Sequence, residues 1–251
     1  MVDRGLAESR AAAQRLVMAG RVRVDGEPVT KPSQRVGPGE EIRLEAGPRY
    51  VSRGGEKLAH ALEAFPIEVK GKICADVGAS TGGFTDCLLQ HGAARVYALD
   101  VGRGILHWRL REDPRVIVME GVNARYKPQM PEGIQIATID AAFISLELLL
   151  PVVHGWLVAG GQVVALIKPQ FEAGREFVGK QGVVRDPTVH RQVVEKILSS
   201  ATSTGLTPQG VLRSPLIGPK GNAEFLLWCV KDGPVFTLEE QLLGLFGASA
   251  G

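Results

Sequence analysis

The chain has 251 residues and a mass of 26.9 kDa, enough for one large domain or for a medium domain with a small one. With 45% hydrophobic and 22% charged residues, its composition excludes a disordered or collagen-like protein. The three cysteines, Cys74, Cys87 and Cys229, are scattered without a CxxC pair, which excludes a disulfide scaffold and a zinc ribbon. No apolar stretch reaches the ~18 residues of a membrane span. We therefore expect a soluble cytoplasmic protein with no metal site and no membrane partner.

The first elements predict a small α+β module over residues 1–46. Ser9 is a good N-cap for a helix that ends near Gly20. The alternation over residues 21–24, followed by Asp25-Gly26, is typical of a strand and a hairpin turn, and a second strand is expected near 41–44.

This module is also where the positive charge lies. Residues 1–60 hold 11 Lys and Arg against 8 Asp and Glu, whereas the whole chain has a net charge of only +2. Because successive side chains of a strand point to opposite faces, Val22 and Val24 are expected to face the core and the neighbouring arginines the opposite side. The excess favours a phosphate-backbone partner, although a solvated surface explains the charge equally well. The arginines concerned are Arg10, Arg15, Arg21 and Arg23.

Residues 47–54 are predicted to be a linker, and from residue 55 helices alternate with apolar strands. The candidate strands are Ile73–Val77, Arg95–Leu99, Arg115–Met119, Ile134–Ile139, Gln162–Ile167 and Ala223–Val230. The candidate helices lie at about 55–65, 83–91, 104–111, 145–158 and 187–203. This order predicts an α/β domain over 55–233, with a mostly parallel sheet covered on both faces. The tail, 234–251, is predicted to contain a short amphipathic helix.

A glycine-rich segment, residues 76–84, follows the first of these strands and opens a helix. It reads GxxxGG, which weakens the dinucleotide GxGxxG interpretation. Asp100 ends the next strand, where an acid can bind a ribose diol in both nicotinamide and adenosylmethionine folds. Asn123 follows the third strand, within reach of an adenine edge. The alternative is a tight strand-to-helix turn with an ordinary loop acid.

Ligands of parallel sheets bind outside the carboxyl ends of the strands, which we call the predicted ligand edge. Four charged residues fall at element ends along it: Lys57, Asp140, Lys168 and Glu224. Each alone has a structural explanation, but buried charges must be paired, and two lysines with two acids neutralise one another. Such a set suits removal of a proton from a weakly acidic alcohol. Our hypothesis is that Lys168 is the general base. Lys57 then holds the substrate oxygen, and the two acids orient the amines.

Several segments in order resemble the TlyA family, also called hemolysin A, of 2′-O-ribose rRNA methyltransferases with an FtsJ-like catalytic domain. The matching segments are residues 51–58, 76–84, 113–116, 143–146, 168–172, 182–187 and 221–224. The resemblance covers nearly the whole chain up to about Val230. It implies a Rossmann-like class I methyltransferase fold behind an S4-like RNA-binding domain, and ribosomal RNA or a ribosomal subunit as partner.

The resemblance also implies S-adenosylmethionine as the methyl donor, with S-adenosylhomocysteine as product. The implied substrate is a cytidine of 16S rRNA, of 23S rRNA or of both. The Lys-Asp-Lys-Glu tetrad of ribose methyltransferases falls on Lys57, Asp140, Lys168 and Glu224. The cofactor residues are expected to be Asp76, Gly78, Ser80, Thr81, Gly82, Gly83, Phe84, Asp100, Asn123 and Asp140. The RNA-binding residues are expected to be Arg4, Arg10, Arg15, Arg21, Arg23 and Arg53.

Two departures from the family pattern stand out. Family members usually carry an Arg-Leu-Asp…Leu-Leu segment ahead of the part matched by residues 2–6, so we expect a shortened S4-like module. Ala141 stands where the family often has serine.

Alternative functions are a catalytically silent ribosome-assembly factor, which has no need of two buried lysines, and a nicotinamide oxidoreductase, which GxxxGG disfavours.

Trp108 and Tyr126 are candidates for base stacking near the ligand edge. Their positions favour the core instead.

Overall fold

The computed structural model describes residues 1–247 and divides the chain into two units, Met1–Arg49 and Tyr50–Gly251. The boundary lies inside the predicted linker, 47–54. Tyr50 belongs to the second unit, because its buried ring packs where a Cβ on Gly55 would lie only 2.2 Å away. The last four residues of the predicted tail, 248–251, lie outside the described residues.

The first unit combines one helix with a three-stranded antiparallel sheet in the order β2-β1-β3. Its elements are a 3-10 turn at Val2–Arg4, α1 (Arg10–Met18), β1 (Val22–Val24), β2 (Glu27–Pro28) and β3 (Ile42–Leu44). Ser9 accepts the backbone N–H of Ala12 at 3.1 Å, as expected of the N-cap. Val22 and Val24 are buried with Val17 and Val29 in a small core. The strand at Glu27–Pro28 was not predicted.

The second unit is built on one seven-stranded sheet in the order β6-β5-β4-β7-β8-β10-β9. Its strands are β4 (Ile73–Val77), β5 (Arg95–Asp100), β6 (Val116–Glu120), β7 (Ile134–Ile139), β8 (Leu157–Ile167), β9 (Leu206–Arg213) and β10 (Phe225–Lys231). Its helices are α2 (Gly54–Ala64), α3 (Gly83–Gln90), α4 (Trp108–Arg111), α5 (Leu146–Trp156), α6 (Pro169–Glu172), α7 (Pro187–Ser203) and α8 (Glu239–Phe246). Short 3-10 turns occupy Ala124–Tyr126, Arg175–Phe177 and Pro219–Gly221.

Helices cover both faces of this sheet, as predicted. Strands β4 to β8 are parallel, whereas β10 runs antiparallel to both of its neighbours. One apolar core lies under α5, α7 and α8, and the other under α2, α3 and α4. Leu238 and Leu242 join the first core and explain why the tail forms a helix. The carboxyl ends of the parallel strands therefore meet the amino end of β10 at one edge, which we call the ligand edge.

Two elements differ from the sequence prediction. Strand β9 was missed because it contains Pro208 and Gly210. These residues are tolerated because β9 lies at the edge of the sheet, paired with β10, and a bulge follows Trp228. The helix expected over 104–111 is reduced to α4. Its first half stays irregular because the Glu120 carboxylate accepts the N–H groups of Gly104 and Ile105.

No helix within residues 1–247 is both long enough and apolar enough to cross a lipid bilayer.

Candidate active site

The glycine loop between β4 and α3 has a backbone that requires glycine. Gly78 has φ +83°, and a Cβ there would lie 2.7 Å from the carbonyl oxygen of Asp140. Gly82 has φ +98°, and a Cβ there would overlap the side chain of Leu110. The loop therefore packs directly against the turn after β7 on one side and against α4 on the other.

Asp100, at the end of β5, is fixed by the same loop. Its two carboxylate oxygens accept the backbone N–H groups of Ser80 at 2.8 Å and of Gly102 at 2.7 Å. Each oxygen keeps a further lone pair, so the carboxylate can still accept the hydroxyls of a ribose. The geometry fits the role predicted for Asp100.

Beside Asp100 lies a pocket of about 290 Å³, which we call the adenosine pocket. Its walls are largely apolar and include Val101, Val122, Ile144 and Leu149, as a flat aromatic base requires. Asn123 also lines it; its side-chain oxygen caps the turn by accepting the N–H of Arg125 at 3.0 Å, and its amide N–H groups remain for a ligand.

Two residues assigned to the cofactor by sequence, Gly82 and Asp76, line neither the adenosine pocket nor the catalytic pocket described below. They support the glycine loop instead. Gly82 faces α4, as described. Asp76 is completely buried and accepts the hydroxyl of Thr85 at 2.7 Å and that of Thr138 at 2.9 Å, which ties α3 to β7. Burial raises the pKa of Asp76 to about 6, although both threonine hydrogen bonds oppose the shift.

We expect Asp76 to make stability depend on pH. Between pH 4 and 6 the unfolded chain loses this proton first, so the free energy of unfolding falls by about 3 kcal/mol as pH rises through that range. Asp76→Asn should remove this component and leave S-adenosylmethionine affinity unchanged. Urea unfolding of both proteins from pH 4 to 7 measures the difference; parallel curves would contradict the assignment.

A second pocket, of about 350 Å³, contains three of the four predicted catalytic residues, and we call it the catalytic pocket. It shares Gly78, Ser80 and Asp140 with the adenosine pocket, so the two cavities adjoin. Lys168, which directly follows β8, forms an ion pair with Asp140 Oδ1 at 2.5 Å. Its Nζ also donates to the carbonyl oxygen of Ala141 at 3.2 Å.

Lys57, on α2, reaches the same pocket and donates to Glu224 Oε2 at 2.6 Å. Their side chains are only 11% and 1% exposed, so this ion pair is largely desolvated. Glu224 lies just before β10, opposite the end of β8. Its other oxygen, Oε1, has no hydrogen-bond partner among the described residues, and only a glycine at 218 leaves space for it.

The remaining residues predicted from the glycine loop also reach the catalytic pocket: Ser80, Thr81, Gly83 and Phe84 line it, as does Arg53. Sequence reasoning missed Ser52 and the loop between β9 and β10, of which Leu216, Ile217 and Gly218 form part of the wall. The Gly-Pro-Lys-Gly sequence at residues 218–221 of this loop is typical of a turn. It does not show that the turn lies at the ligand edge.

In the first unit the predicted RNA-binding arginines fall into two groups. Three are engaged within the unit: Arg4 donates to the carbonyl oxygens of Gly37 and Glu40, Arg21 to that of Glu45, and Arg23 pairs with the Glu45 carboxylate. Arg10 and Arg15, on α1, are exposed and have no ion pair among the described residues. These two are therefore the arginines of α1 that are available to a partner.

Comparison with known proteins agrees with this architecture. The FtsJ-like methyltransferase family model matches residues 50–231, and the S4 domain model matches residues 1–42. The fold is therefore the predicted class I methyltransferase fold with an S4 domain in front. The chain belongs to the TlyA family of FtsJ-like methyltransferases.

Individual relatives align along most of the chain. YqxC of Bacillus subtilis is 50% identical over 90% of this chain and 82% of its own. The 16S/23S rRNA (cytidine-2′-O)-methyltransferase TlyA of Mycobacterium tuberculosis is 46% identical over 91% of this chain and 87% of its own. A solved structure from Streptococcus thermophilus, described as a hemolysin, is 45% identical and has a TM-score of 0.77, covering 96% of this chain and 90% of that one.

Proposed function

We propose that the protein is an S-adenosylmethionine-dependent methyltransferase that modifies a ribose 2′-hydroxyl of ribosomal RNA. The observation that carries this proposal is the pairing of two lysines with two carboxylates at one pocket beside a second pocket suited to adenosine. A largely desolvated pair of ammonium groups costs folding free energy, so a reaction that uses the amines explains it better than a structural role does.

The cofactor fits the residues that would hold it. Asp100 would accept the ribose hydroxyls, the apolar walls of the adenosine pocket would enclose the adenine, and the glycine loop would lie against the methionine part. The GxxxGG loop leaves room for backbone to approach a ligand. When bound, S-adenosylmethionine supplies a methyl group activated by a positively charged sulfur.

The chain's own groups then handle one proton. Lys168 Nζ, as the neutral amine, would accept the proton of the 2′-hydroxyl as the 2′ oxygen takes up the methyl group that the cofactor would supply, and S-adenosylhomocysteine would be the leaving group. Lys57 holds the attacking oxygen by a hydrogen bond. Asp140 and Glu224 fix the directions of the two amines through the ion pairs described above.

The proposed substrate is structured ribosomal RNA, in the small subunit, the large subunit or both, with a cytidine as the modified nucleotide. The S4 domain and the rRNA-modifying relative from Mycobacterium support this assignment. Work on ribosomes would require the protein to be cytoplasmic.

Methyl transfer from labelled S-adenosylmethionine into purified 16S RNA, 23S RNA and ribosomal subunits tests the proposal. Mass-spectrometric mapping of the product should find a 2′-O-methylated cytidine. RNA binding without transfer to any of these substrates would favour the silent assembly factor, and transfer to a base would contradict the ribose chemistry.

The two available arginines of α1 give a separate prediction about binding. Arg10→Ala with Arg15→Ala should weaken RNA affinity and lower the salt slope, the change of log K with log salt, by about 0.7–0.9 for each phosphate that the protein no longer neutralises. Filter binding from 50 to 300 mM salt measures both quantities. Arg43→Ala, which removes an exposed arginine that pairs with Glu41, is the matched control. A slope unchanged in the double variant would exclude α1 from the RNA interface.

A further inference from the structure

The segment that follows Asp100 displays large apolar side chains to solvent. Trp108 is 62% exposed, Val101 69% and Ile105 44%. The sequence favoured a core position for Trp108, and also for Tyr126, which is 72% exposed; both interpretations were wrong. Apolar side chains grouped on a surface commonly mark a recognition site.

This exposure is not a consequence of weak anchoring. Leu106 and Leu110 of the same segment are buried in the core beneath α2 and α3. The Glu120 carboxylate accepts backbone N–H groups from Gly104, Ile105 and Leu106 and pairs with Arg111. Because these contacts fix the backbone of the segment, the Trp108 indole is held at the protein surface.

The surroundings of the indole suit a nucleic acid. The His107 ring stacks on Trp108 with the ring centroids 5.8 Å apart and an interplanar angle of 28°. Arg103 and Arg109 are exposed, and neither has a carboxylate partner within residues 1–247. Aromatic faces flanked by free guanidinium groups bind unstacked bases and their phosphates.

The segment borders both pockets. The backbone N–H of His107 donates at 3.1 Å to the carbonyl oxygen of Thr81, which lines the catalytic pocket. At its other end Val101 lines the adenosine pocket. A base resting on Trp108 would therefore lie near the nucleotide that enters the catalytic pocket.

We propose that Arg103, Ile105, Trp108 and Arg109 form a stacking platform for an unpaired RNA base that neighbours the methylated nucleotide. The platform depends on the proposed function for its RNA ligand, because the same RNA must reach the catalytic pocket. Trp108 supplies the stacking face, and the two arginines contact the flanking phosphates.

Tryptophan fluorescence gives a direct readout of stacking. The chain has three tryptophans; Trp156 is buried, and the partly buried Trp228 donates its indole N–H to Gln162. RNA that stacks on Trp108 should quench the exposed component of the emission, and Trp108→Phe should abolish that quenching. Equal quenching in the wild type and Trp108→Phe would overturn the proposal.

Binding of the ribosomal RNA used in the methyl-transfer assay provides the second readout. Trp108→Ala should raise its Kd about tenfold, Trp108→Phe should restore most of the affinity, and Trp108→Leu should not. The affinity for S-adenosylmethionine should stay the same in all three. Phe236→Ala is the matched control, since Phe236 is an exposed aromatic that follows the carboxyl end of β10, whereas the amino end of β10 lies at the ligand edge.

The outcomes separate the platform from the proposed function. Methylation by the wild type with unchanged RNA affinity in Trp108→Ala refutes the platform alone. Quenching and weakened binding without any methyl transfer support the platform and refute the proposed function. A wild type that neither binds nor methylates ribosomal RNA contradicts both.

Discussion

Lys168→Ala is expected to lower the single-turnover rate of methyl transfer by about 10²- to 10⁴-fold, the usual contribution of a general base. Affinity for S-adenosylmethionine should change little, because Lys168 does not line the adenosine pocket.

Lys168→Arg separates proton transfer from charge. A guanidinium keeps the positive charge beside Asp140 but does not lose its proton in proteins, so this variant should be as slow as Lys168→Ala. Lys70→Ala, which removes an exposed lysine just before β4 at the opposite edge of the sheet, should transfer methyl at the wild-type rate. Substantial activity in Lys168→Arg would show that Lys168 acts only through its charge.

The parallel part of the fold was predictable because its strands are continuous apolar runs. Strands β4 and β7 begin and end where the sequence predicted them. Asp140 and Lys168 directly follow β7 and β8, and Glu224 directly precedes β10, all at the same edge. Knowing that parallel strands end together was enough to gather Asp140 and Lys168 at one pocket, whereas Lys57 reaches it from α2.

The failures come from tertiary partners that local sequence does not show. A helix over 104–111 fits the local pattern, but a carboxylate 16 residues beyond Gly104 captures the N–H groups that would start it. Asp76 lies in a motif that commonly contacts a ligand, yet two threonine hydroxyls, one from β7, draw its carboxylate into the core. Neither partner is adjacent in sequence.

The same reason explains the arginines and Trp108. Arg4 and Arg21 look like free cations until distant carbonyl oxygens are brought beside them by folding. For Trp108, the sequence shows an apolar residue at helical spacing, whereas the structure buries Leu106 and Leu110 and leaves the indole outside. Periodicity identifies a buried stripe but not which large residue is excluded from it.

Glu224→Gln should affect both stability and catalysis, because it leaves the Lys57 ammonium largely buried without an opposite charge. We expect the free energy of unfolding to fall by about 3–5 kcal/mol and methyl transfer to fall by about 10²-fold or more, since Lys57 loses its fixed direction. Glu195→Gln removes an exposed acid that pairs with the half-buried Arg191 and should cost no more than about 0.5 kcal/mol.

A double variant, Lys57→Met with Glu224→Leu, separates the two effects. Removing both charges and filling the space with apolar side chains should restore stability to near the wild-type value, because the desolvation cost disappears with the ions. Methyl transfer should stay as low as in Glu224→Gln. Urea unfolding and single-turnover assays on the same preparations measure both properties. If transfer recovered together with stability, the Lys57–Glu224 pair would be structural only, and the catalytic set would be reduced to Lys168 and Asp140.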